Sequence, residues 1–202
     1  MIVAIVPAAG KSERMGRPKL LLPLGPRRVI EHVLDALAAS QVDRTIVVVP
    51  PGADELCLSV AGYSKAAVAG LQAPTADMRS SVLFGLDHAE YLLQRQTPDA
   101  FLVVPADQPT LTAAIVDRLI DRFHASGRSI VVPTYRGRRG HPLLLAWQHV
   151  AAVRALPSDR GLNHLVAQFA AEVDECPIDD PGLLVDLDTP ADYERLLARP
   201  PH

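Results

Sequence analysis

Four short apolar runs punctuate the chain and stop in the same way. Residues 2–6, 45–49, 101–104 and 130–132 are rich in valine and isoleucine, lack polar alternation, and run into Pro7, Pro50, Pro105 and Pro133. Runs of this kind fit strands covered on both faces, as in a parallel sheet. A proline at the exit cannot donate a ladder hydrogen bond, so each is expected to end its strand. Between the runs, apolar positions recur at helical spacing. Val29, Ile30, Val33, Leu34 and Leu37 form one stripe; Val82, Leu86, Ala89 and Leu93 a second; Ile115, Val116, Leu119, Ile120 and Phe123 a third. Strands alternating with helices predict an α/β fold: a three-layer, doubly wound, mostly parallel sheet with right-handed crossovers. Ligands of such sheets bind beyond the carboxyl ends of the strands. The informative residues should therefore follow the prolines, at 8–19 after the first run and at Asp107 after the third.

The pattern weakens beyond Pro133. Residues 135–140, with two glycines and three arginines, predict an exposed turn between short strands. Asp159 is placed to cap a helix over 161–171. A late strand is predicted at 184–187, leading through Asp188, Thr189 and a first-turn Pro190 into a helix over 191–197. The tail, 199–202, is expected to fray.

Composition narrows the class. The chain has 202 residues, 49% of them hydrophobic, which suits one core and a single domain over 1–202. A net charge of −3 and a pI near 6.1 argue against a nucleic-acid or anionic-membrane surface. No apolar run approaches the ~20 residues of a membrane span. The first run lacks a basic flank and stops at Pro7, unlike a signal peptide, so a cytoplasmic location is expected. Cys57 and Cys176 lie far apart, which disfavours a disulfide framework or a zinc site.

Candidate chemistry concentrates in three places. In Pro7-Ala8-Ala9-Gly10-Lys11-Ser12-Glu13-Arg14-Met15-Gly16-Arg17-Pro18-Lys19, small residues let backbone N–H groups approach an anion, and Arg14 and Lys19 add charge. Gly10-Lys11-Ser12 imitates the end of a P-loop, but Ile5 stands where that motif needs its first glycine, and Ala8 breaks a dinucleotide fingerprint. An ordinary βα turn with solvated basic residues is the alternative. Asp107, in Pro105-Ala106-Asp107-Gln108-Pro109, is a metal ligand or a turn former. Asp186 and Asp188 flank Leu187, so strand alternation would put both carboxylates on one face; helix capping beside Thr189 is the alternative. Hard oxygen ligands of this kind suit Mg²⁺. Ser80 and Ser81 open the second helical stripe, as ligand contacts or as an N-cap.

Taken together, these strings resemble the nucleotidyltransferases with a MobA-like NTP transferase domain. The loop is similar to that family's L-A-A-G-x-S-x-R-M-G-x-x-K, with Pro7 for leucine. Ala106-Asp107-Gln108-Pro109 is similar to G-D-Q-P, with Ala106 for glycine, and 185–192 is similar to D-I-D-T-P-E-D. The resemblance implies a Rossmann-like nucleotidyltransferase fold. It implies a nucleotide held by Ala8, Ala9, Gly10, Ser12, Arg14 and Lys19, with Arg79, Ser80 and Ser81 beside it. Catalysis would fall to Lys19, Arg14 and Asp107, and Mg²⁺ to Asp107 and Asp188. On the acceptor side, Gly140-His141-Pro142-Leu143 resembles the family's G-x-P turn and Asp159-Arg160-Gly161 its D-x-G. That implies acceptor roles for His141, Pro142, Asp159, Gly161 and Asp186. The branch it most resembles is the molybdenum cofactor cytidylyltransferases; Ala9, where guanylyl enzymes carry glycine, favours CTP over GTP. The acceptor would be a phosphorylated small molecule, molybdopterin first, with a molybdoenzyme or chaperone as protein partner. Guanylyl or sugar-phosphate transfer on the same fold, a non-catalytic cofactor maturation factor, and a nucleotide-binding regulatory module are the alternatives.

Overall fold

The computed structural model describes residues 1–75, 77–94 and 96–198. The tail expected to fray lies outside the described residues. β1 (Ile2–Pro7) leads through the basic loop to a small hairpin, β2 (Pro23–Leu24) and β3 (Arg27–Arg28), and then to α1 (Val29–Ala39). There follow β4 (Arg44–Val49), α2 (Asp54–Ala61), β5 (Ala66–Gly70), α3 (Met78–Leu93), β6 (Ala100–Val103) and α4 (Ala113–Ser126). The last third contains β7 (Ile130–Tyr135), β8 (Arg138–Arg139), β9 (Leu143–Ala146), α5 (Val150–Ala155), α6 (Leu162–Gln168), β10 (Val173–Pro177) and α7 (Pro190–Leu197).

The main sheet runs β10-β7-β9-β6-β1-β4-β5, with β8 paired to β7. β9 is antiparallel to both β6 and β7, and the remaining pairs along that path are parallel. β1 shows why its sequence is apolar throughout. Ile2, Ala4 and Val6 face a core completed by α1, α2, α4 and α7, while Val3 and Ile5 face one completed by α3, α5 and α6. Three layers result, as the alternation of elements predicts. α3 crosses β1 and β4 closely because Gly85 has no side chain there. A Cβ at that position would lie 2.7 Å from Ile5 Cγ2 and 3.0 Å from Val48 Cγ2.

Several expectations are corrected. Pro133 does not end its strand but lies inside β7, opposite Cys176. It is tolerated because β9 pairs with β7 only at residues 130 and 131, and Pro133 contributes a carbonyl, accepting from the Gly140 N–H at 2.9 Å. No strand forms at 184–187. Pro181–Leu184 is a 3₁₀ turn and 185–188 is irregular, held by Leu187 N–H donating to the Asp107 carbonyl at 3.0 Å. Leu187 is nonetheless fully buried between two more exposed aspartates. Asp159 does not cap a helix: α6 starts after Gly161 without a side-chain cap, because a turn closed by Arg160 N–H to the Pro157 carbonyl intervenes. The Thr189–Pro190 start of α7 is as expected, with the Thr189 hydroxyl accepting from Asp192 N–H. Among the described residues no helix is long and apolar enough to cross a membrane.

Two stability predictions follow from the packing. Gly85→Ala should destabilise by about 1–3 kcal/mol through overpacking, at roughly 2–4 °C of melting temperature per kcal/mol for a chain this size. An unchanged melting temperature would contradict the close approach of α3. The second concerns buried His149, whose Nε2 lies 2.8 Å from Ser129 Oγ and 3.5 Å from Glu172. Burial lowers its pKa, with Glu172 only partly opposing. The unfolded chain therefore binds a proton first, so the His149 contribution to stability should be constant above about pH 6.5 and fall as pH drops below it towards the lower folded value. Denaturant midpoints of wild type and His149→Gln between pH 8 and 5 should show a shallower slope in the variant.

Candidate active site

The loop after β1 leaves the sheet one residue later than its prolines suggest. Ala8 N–H still donates to the Val48 carbonyl at 2.8 Å and the residue is buried. Ala8 therefore has no N–H to offer a phosphate, and its contribution is to extend the ladder. From Ala9 the chain turns outward. The N–H groups of Ala9, Gly10 and Lys11 make no hydrogen bond to the described residues. Ser12 sits at φ 53°, a left-handed conformation rare without glycine, and Gly16 follows at φ 69°. Between them a 3₁₀ turn, Glu13–Met15, buries Met15 as the loop's anchor. Ser12 Oγ accepts from Lys19 N–H at 3.3 Å, closing the loop on itself.

Lys19 then points into the site. Its Nζ lies 2.5 Å from Asp107 Oδ2 and 3.1 Å from Asp188 Oδ1, and Arg14 Nη2 lies 3.0 Å from Asp188 Oδ2. Burial alone would depress the Lys19 ammonium. Hydrogen bonds and charges from Asp107, then Asp188, outweigh it and hold the pKa above the ordinary lysine value. A cleft of about 460 Å³ opens over this cluster, with Ala9, Gly10, Lys11, Ser12 and Arg14 on one side and Thr75, Asp77, Met78 and Ser81 on the other. Its floor carries Asp107 and Asp188. A hollow of about 780 Å³ lies behind the same loop, against Pro50, Pro51 and Gly52; Ala8 lines that one and not the cleft.

Other sequence-selected residues fall in different places. Asp77, not a serine, caps α3, accepting from Ser80 N–H at 2.7 Å. Ser81 reaches the cleft and bonds Thr75 at 2.8 Å, whereas Ser80 does not line it. Arg79 turns away: its Nη2 donates to the carbonyls of Leu156 at 2.5 Å and Arg154 at 3.3 Å, tying α3 to the end of α5. Asp159 and Gly161 are exposed in the α5–α6 turn and do not line the cleft, and Asp159 faces Arg160 at 3.7 Å. His141 and Asp186 flank Asp107 without lining the cleft. The His141 pKa is lowered by burial, against Asp186 and then Asp107, and its Nδ1 is buried with no hydrogen-bond partner among the described residues. Pro142 is buried behind it, joined by a cis peptide.

In the sequence, Gln108 and Gly140 were read within motifs but given no supporting role, and Thr110 was missed. Buried Gln108 donates to Asp186 at 2.9 Å and lies 3.4 Å from the Leu183 carbonyl. Thr110 donates to the Gly182 carbonyl at 2.9 Å. Gly140 is required because a Cβ would lie 2.6 Å from the Leu183 carbonyl oxygen. These contacts fix the irregular 181–188 segment and with it Asp188. The signal available in the sequence was Gln108 itself, an amide directly after Asp107 and just past a buried strand.

The donor set fits a divalent cation that keeps phosphate ligands. Asp107 and Asp188 offer two hard carboxylates, and no cluster of three or more His, Cys, Asp or Glu suited to a metal occurs among the described residues.

A family model described as the MobA-like NTP transferase domain matches residues 4–173. The chain belongs to that family. This nucleotidyltransferase is 31% identical over 199 residues to the 2-C-methyl-D-erythritol 4-phosphate cytidylyltransferase of Nocardia farcinica, covering 94% of this chain and 82% of that one. Cytidylyltransferases of the same name from Rhodococcus and Ralstonia are matched over 52–55% of their length. The nicotine blue oxidoreductase of Paenarthrobacter nicotinovorans is 28% identical, with 97% of this chain and 96% of that one covered. A probable molybdenum cofactor guanylyltransferase of Pyrococcus horikoshii is 26% identical over 72% of this chain and 69% of its own. Among solved structures, a nucleotidyl transferase from Methanothermobacter superposes with TM-score 0.78 at 25% identity, covering 97% and 95% of the two chains. Mycobacterium tuberculosis Rv0371C, in complex with manganese, superposes with TM-score 0.74 at 27% identity and 97% coverage of both.

The wall around Gly140 generates a prediction. Gly140→Ala should push back the Leu183 carbonyl, displace Asp188 and lower turnover by about tenfold or more, as small misplacements of positioning groups do. Wild-type turnover in a folded Gly140→Ala protein would show that the 181–188 segment is not positioned by this contact.

Proposed function

We propose that the protein transfers CMP from CTP to a phosphorylated small-molecule acceptor, with molybdopterin the first candidate, and releases pyrophosphate. The observation that carries this reading is the convergence of Lys19, Arg14, Asp107 and Asp188 beside a loop whose N–H groups at 9–11 make no hydrogen bond to the described residues. CTP is supported by the Ala8-Ala9-Gly10 string and by the cytidylyltransferase relatives. Molybdopterin is supported by the MobA-like domain and the guanylyltransferase relative, while the Nocardia relative makes 2-C-methyl-D-erythritol 4-phosphate the competing acceptor.

The chemistry needs positioning and charge neutralisation more than a nucleophile on the protein. The N–H groups of Ala9, Gly10 and Lys11 receive phosphate oxygens. Lys19 and Arg14 carry positive charge to the α-phosphate and the departing pyrophosphate. Ser81 and Thr75 line the nucleoside side. Asp107 and Asp188 would hold Mg²⁺, which when bound supplies further neutralisation of the triphosphate. An oxygen of the acceptor phosphate attacks the α-phosphorus in line, and the bond to the bridging oxygen of pyrophosphate breaks. A phosphate monoester is already largely ionised near neutral pH, so no general base is required. The neighbouring protein partner is a molybdoenzyme or its chaperone, and the compartment is the cytoplasm.

The test is pyrophosphate release with Mg²⁺, each of CTP, GTP, ATP and UTP, and each of the two acceptors. Release with CTP and molybdopterin is expected, and Lys19→Ala and Asp107→Ala should lower it by orders of magnitude while remaining folded. Near-normal turnover in either variant, or oxidation of NADH or NADPH without pyrophosphate release from any nucleotide, would overturn the reading. A companion measurement is thermal stability. A nucleotide at about 100 times its dissociation constant adds about 2.7 kcal/mol, and CTP with Mg²⁺ should give the largest shift.

A further inference from the structure

Asp107 and Asp188, the two carboxylates suited to a divalent cation, are each held by a cation of the chain itself. Lys19 Nζ lies between Asp107 Oδ2 at 2.5 Å and Asp188 Oδ1 at 3.1 Å, and Arg14 Nη2 lies 3.0 Å from Asp188 Oδ2. The Lys19 and Asp107 side chains are only 15% and 21% exposed, so solvent does little to screen that pair. Two carboxylates and two cations balance to zero charge. Lys19 and Arg14 are also the groups assigned to the phosphates, so a single set of contacts occupies both halves of the site.

We propose that the site takes a divalent cation and a nucleoside triphosphate as a coupled pair, each favouring the other through an exchange of ion partners. Lys19 and Arg14 pass from the carboxylates to phosphate oxygens, and Asp107 and Asp188 pass to the cation. The inference rests on the transferase reading for the identity of the ligands, but it concerns binding and needs no acceptor. A cation entering alone meets carboxylates already neutralised and must displace a largely buried ammonium that then has no partner. A triphosphate entering alone must draw both cations away and leave two carboxylates facing each other and the phosphates. Breaking a buried pair by removing one partner is costly because the other charge stays uncompensated. When both ligands enter, each accepts the partner that the other displaces, and no charge is stranded. Linkage makes the effect reciprocal: whatever factor the nucleotide adds to the affinity for metal, the metal adds to that for nucleotide. The consequence for function is a filter. Free triphosphate binds more weakly than the complete metal–nucleotide pair, for which the loop releases the carboxylates.

The experiment uses Mn²⁺ as probe, with free Mn²⁺ followed by its electron paramagnetic resonance signal over the full chain. Association of Mn²⁺ with CTP is measured separately in solution and subtracted. In wild type, CTP should tighten Mn²⁺ binding by at least about tenfold, within the usual range of coupling between sites. Lys19→Met should bind Mn²⁺ without nucleotide at least about fivefold tighter than wild type, and its response to CTP should shrink. Arg14→Gln should shift in the same direction by less, because Arg14 reaches only Asp188 and its side chain is 71% exposed. Wild type binding Mn²⁺ as tightly without CTP as with it would overturn the exchange. So would a folded Lys19→Met that gains no affinity for Mn²⁺; should that variant not fold, a lack of gain in Arg14→Gln would overturn it equally. The metal-only arm separates this outcome from the fate of the transferase reading. A chain that releases no pyrophosphate can still show the gain, and an active transferase without it loses only the exchange.

Discussion

The Lys19 ammonium between two carboxylates is the contact around which the site is arranged. It joins residues 88 and 169 positions apart, Asp107 from the turn after β6 and Asp188 from the approach to α7. With their charges the ammonium stays protonated well above neutrality despite its burial. β1 and β6 are adjacent in the sheet, so the loop after one and the turn after the other start side by side. The third component has no strand beneath it. Asp188 is delivered by backbone and amide contacts, with Leu187 as the buried foot of the segment.

The wall behind Asp107 explains how irregular chain can be placed so firmly. Gln108 and Thr110 reach across to 182–186, and Gly140 admits the Leu183 carbonyl from the other side. An irregular segment satisfied by side-chain donors and pinned by buried leucines is not a loose loop. Polar satisfaction and steric fit here do the work that a ladder does elsewhere.

The relatives of this chain carry the names of a cytidylyltransferase, a guanylyltransferase and an oxidoreductase at comparable levels of identity. One fold thus serves differing chemistry, as function belongs to sites more than to folds. The loop after β1 brings Lys19 and Arg14 to the carboxylates of Asp107 and Asp188. Beside them the His141 imidazole is largely buried, and its Nδ1 has no hydrogen-bond partner among the described residues.

Much of this was legible in the sequence. Apolar runs without alternation identified β1, β4, β6 and β7, because a strand buried on both faces has no polar side to show. Helical stripes identified α1, α3 and α4 for the complementary reason. The string 7–19 and Asp107 stood out because charged and small residues just past a buried strand are locally conspicuous, and Asp188 stood out through its own string; the fold brings Arg14, Lys19, Asp107 and Asp188 together. The elements α2 and β5 were missed: α2 is short and half-exposed, and β5 is mostly alanine and glycine, so both are too weakly patterned. Tertiary structure alone decided which donors remained free. Ala8 reads as a loop residue, yet its N–H completes the ladder to Val48. Arg79 reads as a ligand contact, yet the carbonyls that claim it lie 75 and 77 residues away. A strand at 184–187 fits its local pattern, but its N–H groups are taken otherwise: Val185 donates to the Gly182 carbonyl and Leu187 to the Asp107 carbonyl. Local pattern determines what a segment can offer; which offer is taken depends on partners that only the folded chain brings within reach.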